Sequence, residues 1–225
     1  RALPWGDAVT NNGKLYLVVF DWPSDGTLWL PGLKNEIKGA ALYGGKKVKF
    51  SRDGEWTRLE LPAAAPEKVA SVIELTLDGR VDVVRKNFID PVTVTTLPVA
   101  LAGIQNAELR KSEWMEAFGE WKFKASVSGI TAESKVEWVV DFKEPGYYDV
   151  AIECRGDGTT DWMMCADEGN TIVDRYNLHS QYAWHRMGWL KIDGAGKHKL
   201  SLSVTDGNWE QVGIGSISIT PVKLQ

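Results

Sequence analysis

The sequence is short of long apolar runs, cysteine, histidine and basic charge, and each shortage removes a class of protein. The longest purely apolar stretch in the first half is the six residues Leu15 to Phe20. A membrane-crossing helix needs roughly 20, so no membrane span is expected. The 26 basic residues are outnumbered by 30 acidic ones, which removes the positive excess that nucleic-acid binding requires. The two cysteines, Cys154 and Cys165, fit no zinc spacing and no C-x-x-C redox motif. They either form one disulfide or remain buried thiols. Helical periodicity is also scarce, its best candidate being the one or two turns from Ser112 to Phe118.

What the chain has is tryptophan and glycine: eleven and 22 in 225 residues. Six Asp-Gly pairs, from Asp25-Gly26 to Asp206-Gly207, and one Asn12-Gly13 punctuate it. Such pairs tolerate the positive φ of tight hairpin turns. Between them apolar residues alternate with polar ones: Val48 with Phe50, then Leu59 and Leu61; Ile73, Leu75 and Leu77; Val136, Trp138, Val140 and Phe142; Leu200, Leu202 and Val204. A period of two marks half-buried antiparallel strands. The fold class expected is all-β, with two consecutive antiparallel β-sandwiches. The first occupies residues 1–84 and the second 104–225. An irregular linker over 85–103 carries Pro91, Pro98 and a Thr-rich segment. The first residue is Arg1, and the chain is read as a processed product or a piece of something longer.

The stretch Lys14 to Ile37 contains Phe20-Asp21-Trp22-Pro23 and, after a turn at Asp25-Gly26, Leu30-Pro31-Gly32-Leu33. Pro23 fixes φ and the Asp-Gly pair supplies a turn, so residues 21–26 make a corner that Trp22 covers. This motif, with Leu61 to Gly79, resembles the C-terminal β-sandwich of the α-L-fucosidases of glycoside hydrolase family 29. In that family the catalytic nucleophile and acid/base lie on a (β/α)8 barrel preceding the sandwich. Such a barrel needs roughly 250 residues and does not fit here. The resemblance therefore implies a C-terminal part of a fucosidase, inactive alone, whose first sandwich packs on the upstream catalytic barrel. It also implies a secreted, periplasmic or cell-surface bacterial protein.

The second half opens with Ala107-Glu108 and continues with Val136 to Phe142, Pro145-Gly-Tyr-Tyr-Asp-Val150, Gly194 to Val204 and Gly213 to Val222. In that order these segments resemble the galactose-binding-like jelly rolls of carbohydrate-binding modules of families 6 and 35. The resemblance implies a carbohydrate partner, a fucosylated glycan or polysaccharide, held in loops at one end of the sandwich. A sugar needs a flat aromatic surface for its C–H face and amide, carboxylate or guanidinium groups for its hydroxyls. Trp162, Trp184 and Trp209 lie in segments that offer both. Arg155 and Asp161 accompany the first, Tyr182 and His185 the second, Asn208 and Glu210 the third. Trp114 and Trp121 are further candidates. The competing reading is that each ring plugs an open end of the sandwich. Trp138 and Tyr148 share faces with aliphatic residues and belong to the core, whereas Trp189 opposes Leu190 and Ile192 and faces outward or covers an edge.

No cofactor is required by these patterns. The resembling modules place a structural calcium on the opening Glu and a later Asp. Glu108 fits the first position, but the last strand carries no Asp. His179 and His185 have no carboxylate to complete a metal triad, and Asp141 and Glu144 read as strand ends. Two rivals remain. Both sandwiches serve only as scaffold or oligomer contacts, or the chain itself hydrolyses glycosides, which requires two carboxylates about 5–9 Å apart in a cleft.

Overall fold

A computed structural model describes residues 3–115, 119 and 121–223, without the side chains of Trp114, Trp121, Lys122 and Phe123. The chain divides into two compact units, residues 1–88 and 89–225. The sheets are built from antiparallel pairs such as β1–β2, β13–β18 and β14–β19, and the described residues contain no α-helix. None of them forms a helix long and apolar enough to cross a membrane.

The first unit holds β1 (Gly6–Asn11), β2 (Lys14–Val19), β3 (Thr27–Pro31), β4 (Ile37–Leu42), β5 (Lys49–Asp53), β6 (Trp56–Glu60) and β7 (Ser71–Leu77). They make one sheet in the order β1-β2-β7-β4 and another in the order β3-β6-β5. Alternate residues from the two sheets, Leu15, Leu17, Ile73 and Leu75 from one, Leu28, Leu30 and Leu59 from the other, form a single core. Strand β5 is exposed along its whole length, so Phe50 does not bury with Val48 as the alternation suggests. An edge strand has a neighbour on one side only, and nothing there covers its faces. The corner at residues 21–26 is built as its residues dictate. The Gly26 amide donates to the Pro23 carbonyl at 3.1 Å, the Thr27 amide donates to Asp25 Oδ1 at 3.0 Å, and the Trp22 indole N–H donates to the Pro62 carbonyl at 2.9 Å.

The short strand β8 (Asn87–Ile89) lies at the boundary. The second unit continues with β9 (Thr95–Pro98), β10 (Gly103–Gln105), β11 (Glu108–Met115), β12 (Trp121–Ser128), β13 (Lys135–Phe142), β14 (Gly146–Arg155), β15 (Gly158–Ala166), β16 (Asn170–Leu178), β17 (Ala183–Ile192), β18 (Gly196–Gly207) and β19 (Gly213–Pro221). One sheet runs β10-β13-β18-β15-β16 and the other β11-β12-β19-β14-β17, with β9 also on β19. Their inner faces supply Val136, Trp138, Val140 and Phe142 opposite Tyr148, Val150, Ile152 and Cys154.

Two expectations change. Residues 85–103 are not simply a linker: β9 pairs with β19, Leu97 and Val99 are buried in the core, and the Trp138 indole donates to the Pro98 carbonyl at 3.3 Å. Strand β9 is only four residues long, Thr-Thr-Leu-Pro, too short to show a period. The helix proposed at Ser112 to Phe118 is replaced by strand as far as Met115, because strand pairing outweighs a weak local preference; residues 116–118 lie outside the described part.

Both cysteines are free. Cys154 points into the core from one sheet, while Cys165 occupies an outward position of the other, so parity separates them. Burial, with Glu153 adding to it, pushes the Cys154 thiol up to about 12. A thiol-specific label is expected to modify Cys165 in the folded protein and Cys154 only after denaturant is added. Mapping labelled peptides by mass spectrometry checks this order.

Candidate functional site

Antiparallel register gathers five loops at one end of the second sandwich. Glu108 lies across from Ser128, Cys154 from Ala183, Arg155 from Gly213, Gly158 from Leu178 and Thr160 from Gly207. Residues 106–107, 129–134, 156–157, 179–182 and 208–212 therefore converge. Between them opens a cleft of about 390 Å³ whose polar lining includes Arg110, Ser128, Thr131, Arg155, Glu210 and Gln211. The Arg155 guanidinium has no ion pair among the described residues and lies 5.5 Å from the centre of the Tyr182 ring. The Lys124 ammonium sits 3.7 Å from that ring and bonds Glu153 at 2.6 Å. Tyr182 thus has two cations close to its ring, whose electron-rich face attracts positive charge. Ser128 Oγ, at the cleft wall, is shielded from solvent and has no hydrogen-bond partner among the described residues.

The proposed sugar-binding residues separate under this geometry. Arg155 and Glu210 line the cleft, and exposed Asn208 stands beside it, before the single 3-10 turn Trp209–Gln211. Trp184 is 50% exposed on the outer face of β17, directly across from Glu153. Trp162 does not belong to the site. It lies on the inward side of β15 with no exposed surface, because β15 begins at Gly158 and Trp162 shares the parity of Thr160 and Met164. Trp209 is partly buried and packs on the core. Asp161 faces outward from the other sheet and takes two bonds from Arg175, at 2.5 and 2.7 Å. That hydrogen bonding holds its carboxyl below the usual range, so it is committed to the pair. His185 points inward and its ring lies 4.9 Å from that of Tyr176. Burial lowers its pKa, with His179 acting in the same direction. Neither Asp161 nor His185 is brought to the cleft. The side chains of Trp114 and Trp121 lie outside the described part.

The expected calcium position is not supported. Glu108 is bonded by Arg110 at 3.0 Å, and the adjoining cleft presents two guanidiniums, which repel a cation. Among the described residues no three His, Cys, Asp or Glu are grouped to hold a metal.

The outer face of the β17 sheet carries residues that sequence reasoning left unassigned. Trp189 is also 50% exposed and lies across from Asp149. Its ring centre is 6.4 Å from that of Tyr147. Arg186 stands between the two tryptophans and donates to Asp149 Oδ2 at 2.8 Å. Trp184 and Trp189 are five residues apart and would face opposite ways on a regular strand. They share a face because Val150 pairs with Gly188 and Ala151 with Arg186, leaving Met187 as an extra residue. Gly188 adopts φ +117. A glycine inside a strand pattern is a signal for such a bulge.

No protein-family model matches this sequence, and no curated protein matches it. Solved structures do. The α-L-fucosidase of Vibrio sp. strain EJY3 is similar over 98% of this chain and 40% of its own, with 16% identity and a TM-score of 0.61. The GH26-CBM35 β-(1,4)-mannanase of Podospora anserina is similar over 59% of this chain and 28% of its own, with 16% identity and a TM-score of 0.47. The C-terminal CBM6 of the laminarinase LamC from Zobellia galactanivorans is similar over 56% of this chain and 98% of its own, with 13% identity and a TM-score of 0.40. At these identities the likeness is one of fold. Of the three, only the fucosidase reaches a TM-score that carries weight. The chain spans well under half the length of that enzyme and of the mannanase.

Gly213 leaves the space that Tyr182 and Arg155 occupy: a Cβ there would stand 2.8 Å from the Tyr182 hydroxyl and 3.0 Å from Arg155 Nε. The Gly213→Ala variant is expected to melt within a few degrees of the parent, since both neighbours are ends of flexible side chains. It is also expected to displace the Tyr182 ring from Lys124. The upfield ring-current shift of the Lys124 side-chain protons, measured by NMR, checks this.

Proposed function

We propose that this chain is the non-catalytic C-terminal region of an α-L-fucosidase and that its second unit binds carbohydrate, a fucosylated glycan or polysaccharide. The observation that carries the reading is Trp184, a half-exposed indole paired across the outer face with Glu153, two positions along β14 from Arg155, which lines the cleft with Glu210 and Gln211. The ring supplies an apolar platform for the C–H face of a sugar, and the cleft supplies hydroxyl donors and acceptors of both charges. A guanidinium without an ion pair among the described residues and an exposed carboxylate together suit vicinal hydroxyls. The fold shared with the Vibrio fucosidase over 98% of this chain supports the parent activity, as does the Phe20 to Leu33 motif. On this reading the first unit packs on the upstream catalytic barrel. The second tethers that barrel to substrate and raises its local concentration, in a secreted, periplasmic or cell-surface protein.

A single shallow site of this kind binds weakly, on the order of millimolar to tens of micromolar. Titration of the 225-residue chain with L-fucose, galactose and fucosylated oligosaccharides is expected to give a saturable change in tryptophan fluorescence. Trp184→Ala is expected to weaken that binding about tenfold or more while leaving the melting temperature unchanged, because the removed ring is half in solvent. The absence of any response, in titrations and in pull-down by a fucosylated polysaccharide, sinks the reading in favour of a scaffold. Trp162→Ala serves as the contrast. It empties a fully buried site and is expected to cost about 3–5 kcal/mol of stability in denaturant unfolding.

A further inference from the structure

Of the tryptophans described in the second unit, Trp138 and Trp162 are fully buried and Trp209 is partly covered, whereas Trp184 and Trp189 each leave half their surface in solvent. Two large rings left open on one sheet face cost apolar hydration that a purely structural role does not require.

The face around them is laid out for something long and flat. Cross-strand register puts Glu153, Ala151 and Asp149 of β14 beside Trp184, Arg186 and Trp189 of β17. On the far side of β14 the same three residues meet Ser216, Ser218 and Thr220 of β19, and Ser218 in turn meets Thr96 of β9. The floor is therefore a strip of short side chains, four of them hydroxyl-bearing, with Ala151 at the midpoint between the two indoles. Arg186 and Asp149 pair with each other, so the middle of the face carries no net charge.

The spacing sets the size of the ligand. Four strand steps and one bulged residue separate the two tryptophans, about 13 Å along β17. A pyranose ring built from single bonds of about 1.5 Å spans about 3 Å between opposite atoms, so one sugar cannot stack on both indoles.

We infer that the outer face of the β11-β12-β19-β14-β17 sheet binds an extended, uncharged glycan chain of about three or more linked sugars, laid across Trp184 and Trp189 over the Ser/Thr strip. This rests on the carbohydrate reading above and adds to it the length of the ligand and a second ring. The end cleft and Trp184 alone would serve a single terminal sugar; the Trp184–Trp189 pair serves the interior of a chain.

The test is calorimetric titration of the 225-residue chain with size-fractionated oligosaccharides, one to six units long, from a desulfated fucan, a mannan and a laminarin. Affinity for at least one series is expected to rise about tenfold or more between one unit and four and then to level off. Trp184→Ala and Trp189→Ala are each expected to remove that rise, and both variants keep the parent's melting temperature. Equal affinity for one unit and for six overturns the inference. So does a Trp189→Ala variant that binds the longer chains as the parent does while Trp184→Ala does not. Either of those results leaves a single-sugar site, and the carbohydrate reading, in place. No binding of any series by the parent overturns both.

Discussion

Side chains on a pleated strand alternate between faces, and an inserted residue resets that alternation. In the second sandwich two such insertions sit on either side of β14. On β17 the extra residue is Met187, which turns inward to the core and lets Trp184 join Trp189 outside. On β19 the register shifts beside Gly215, so Ile214 and Ile217, three apart, both point inward. A Cβ at Gly215 would stand 2.4 Å from Glu153 Oε2, so glycine there makes room for the Lys124–Glu153 pair. The inward placement of Met187 and Ile214 and the outer face's aromatic pair follow from these two bulges.

Burial then decides which aromatic residues remain available for a ligand. Trp162 belongs to the interior as fully as Trp138 does, and His185 is drawn under the sheet against Tyr176. Ion pairs take further groups out of play: Arg175 holds Asp161, Arg110 holds Glu108, and Lys124 holds Glu153. Exposed pairs of this kind contribute little to stability, but they orient side chains. Arg155, beside Tyr182 and without an ion pair among the described residues, stands out against that background. What stays exposed on the outer face is Trp184 and Trp189, with Arg155 of the loop cleft two positions along β14 from Glu153, the partner of Trp184.

The first unit supplies a contrast. Its informative motif, Phe20 to Leu33, is accounted for by a corner whose hydrogen bonds run from Gly26, Thr27 and Trp22. Nothing in that arrangement needs a ligand. Its residues are structural, and the candidate chemistry lies in the second unit.

Much was legible in the sequence because period-two alternation reports burial directly. The rows Ile73 to Leu77, Val136 to Phe142 and Leu200 to Val204 are buried as their pattern requires, and the all-β class follows from them. Segments too short to show a period were misread: β9 passed for a linker, and Ser112 to Met115 for a helix. The candidate site was only partly legible. Trp184, Arg155 and Glu210 stand at the surface, whereas Trp162 is buried and looked like a loop residue because a glycine-rich run precedes it. The sequence by itself determined which side chains alternate and where the chain must turn, since both depend on near neighbours. Tertiary structure alone decided that five distant loops meet, that Met187 is the inserted residue, and that Trp184 and Trp189 share a face. Those depend on which strand lies beside which, and long-range pairing leaves no mark on local periodicity.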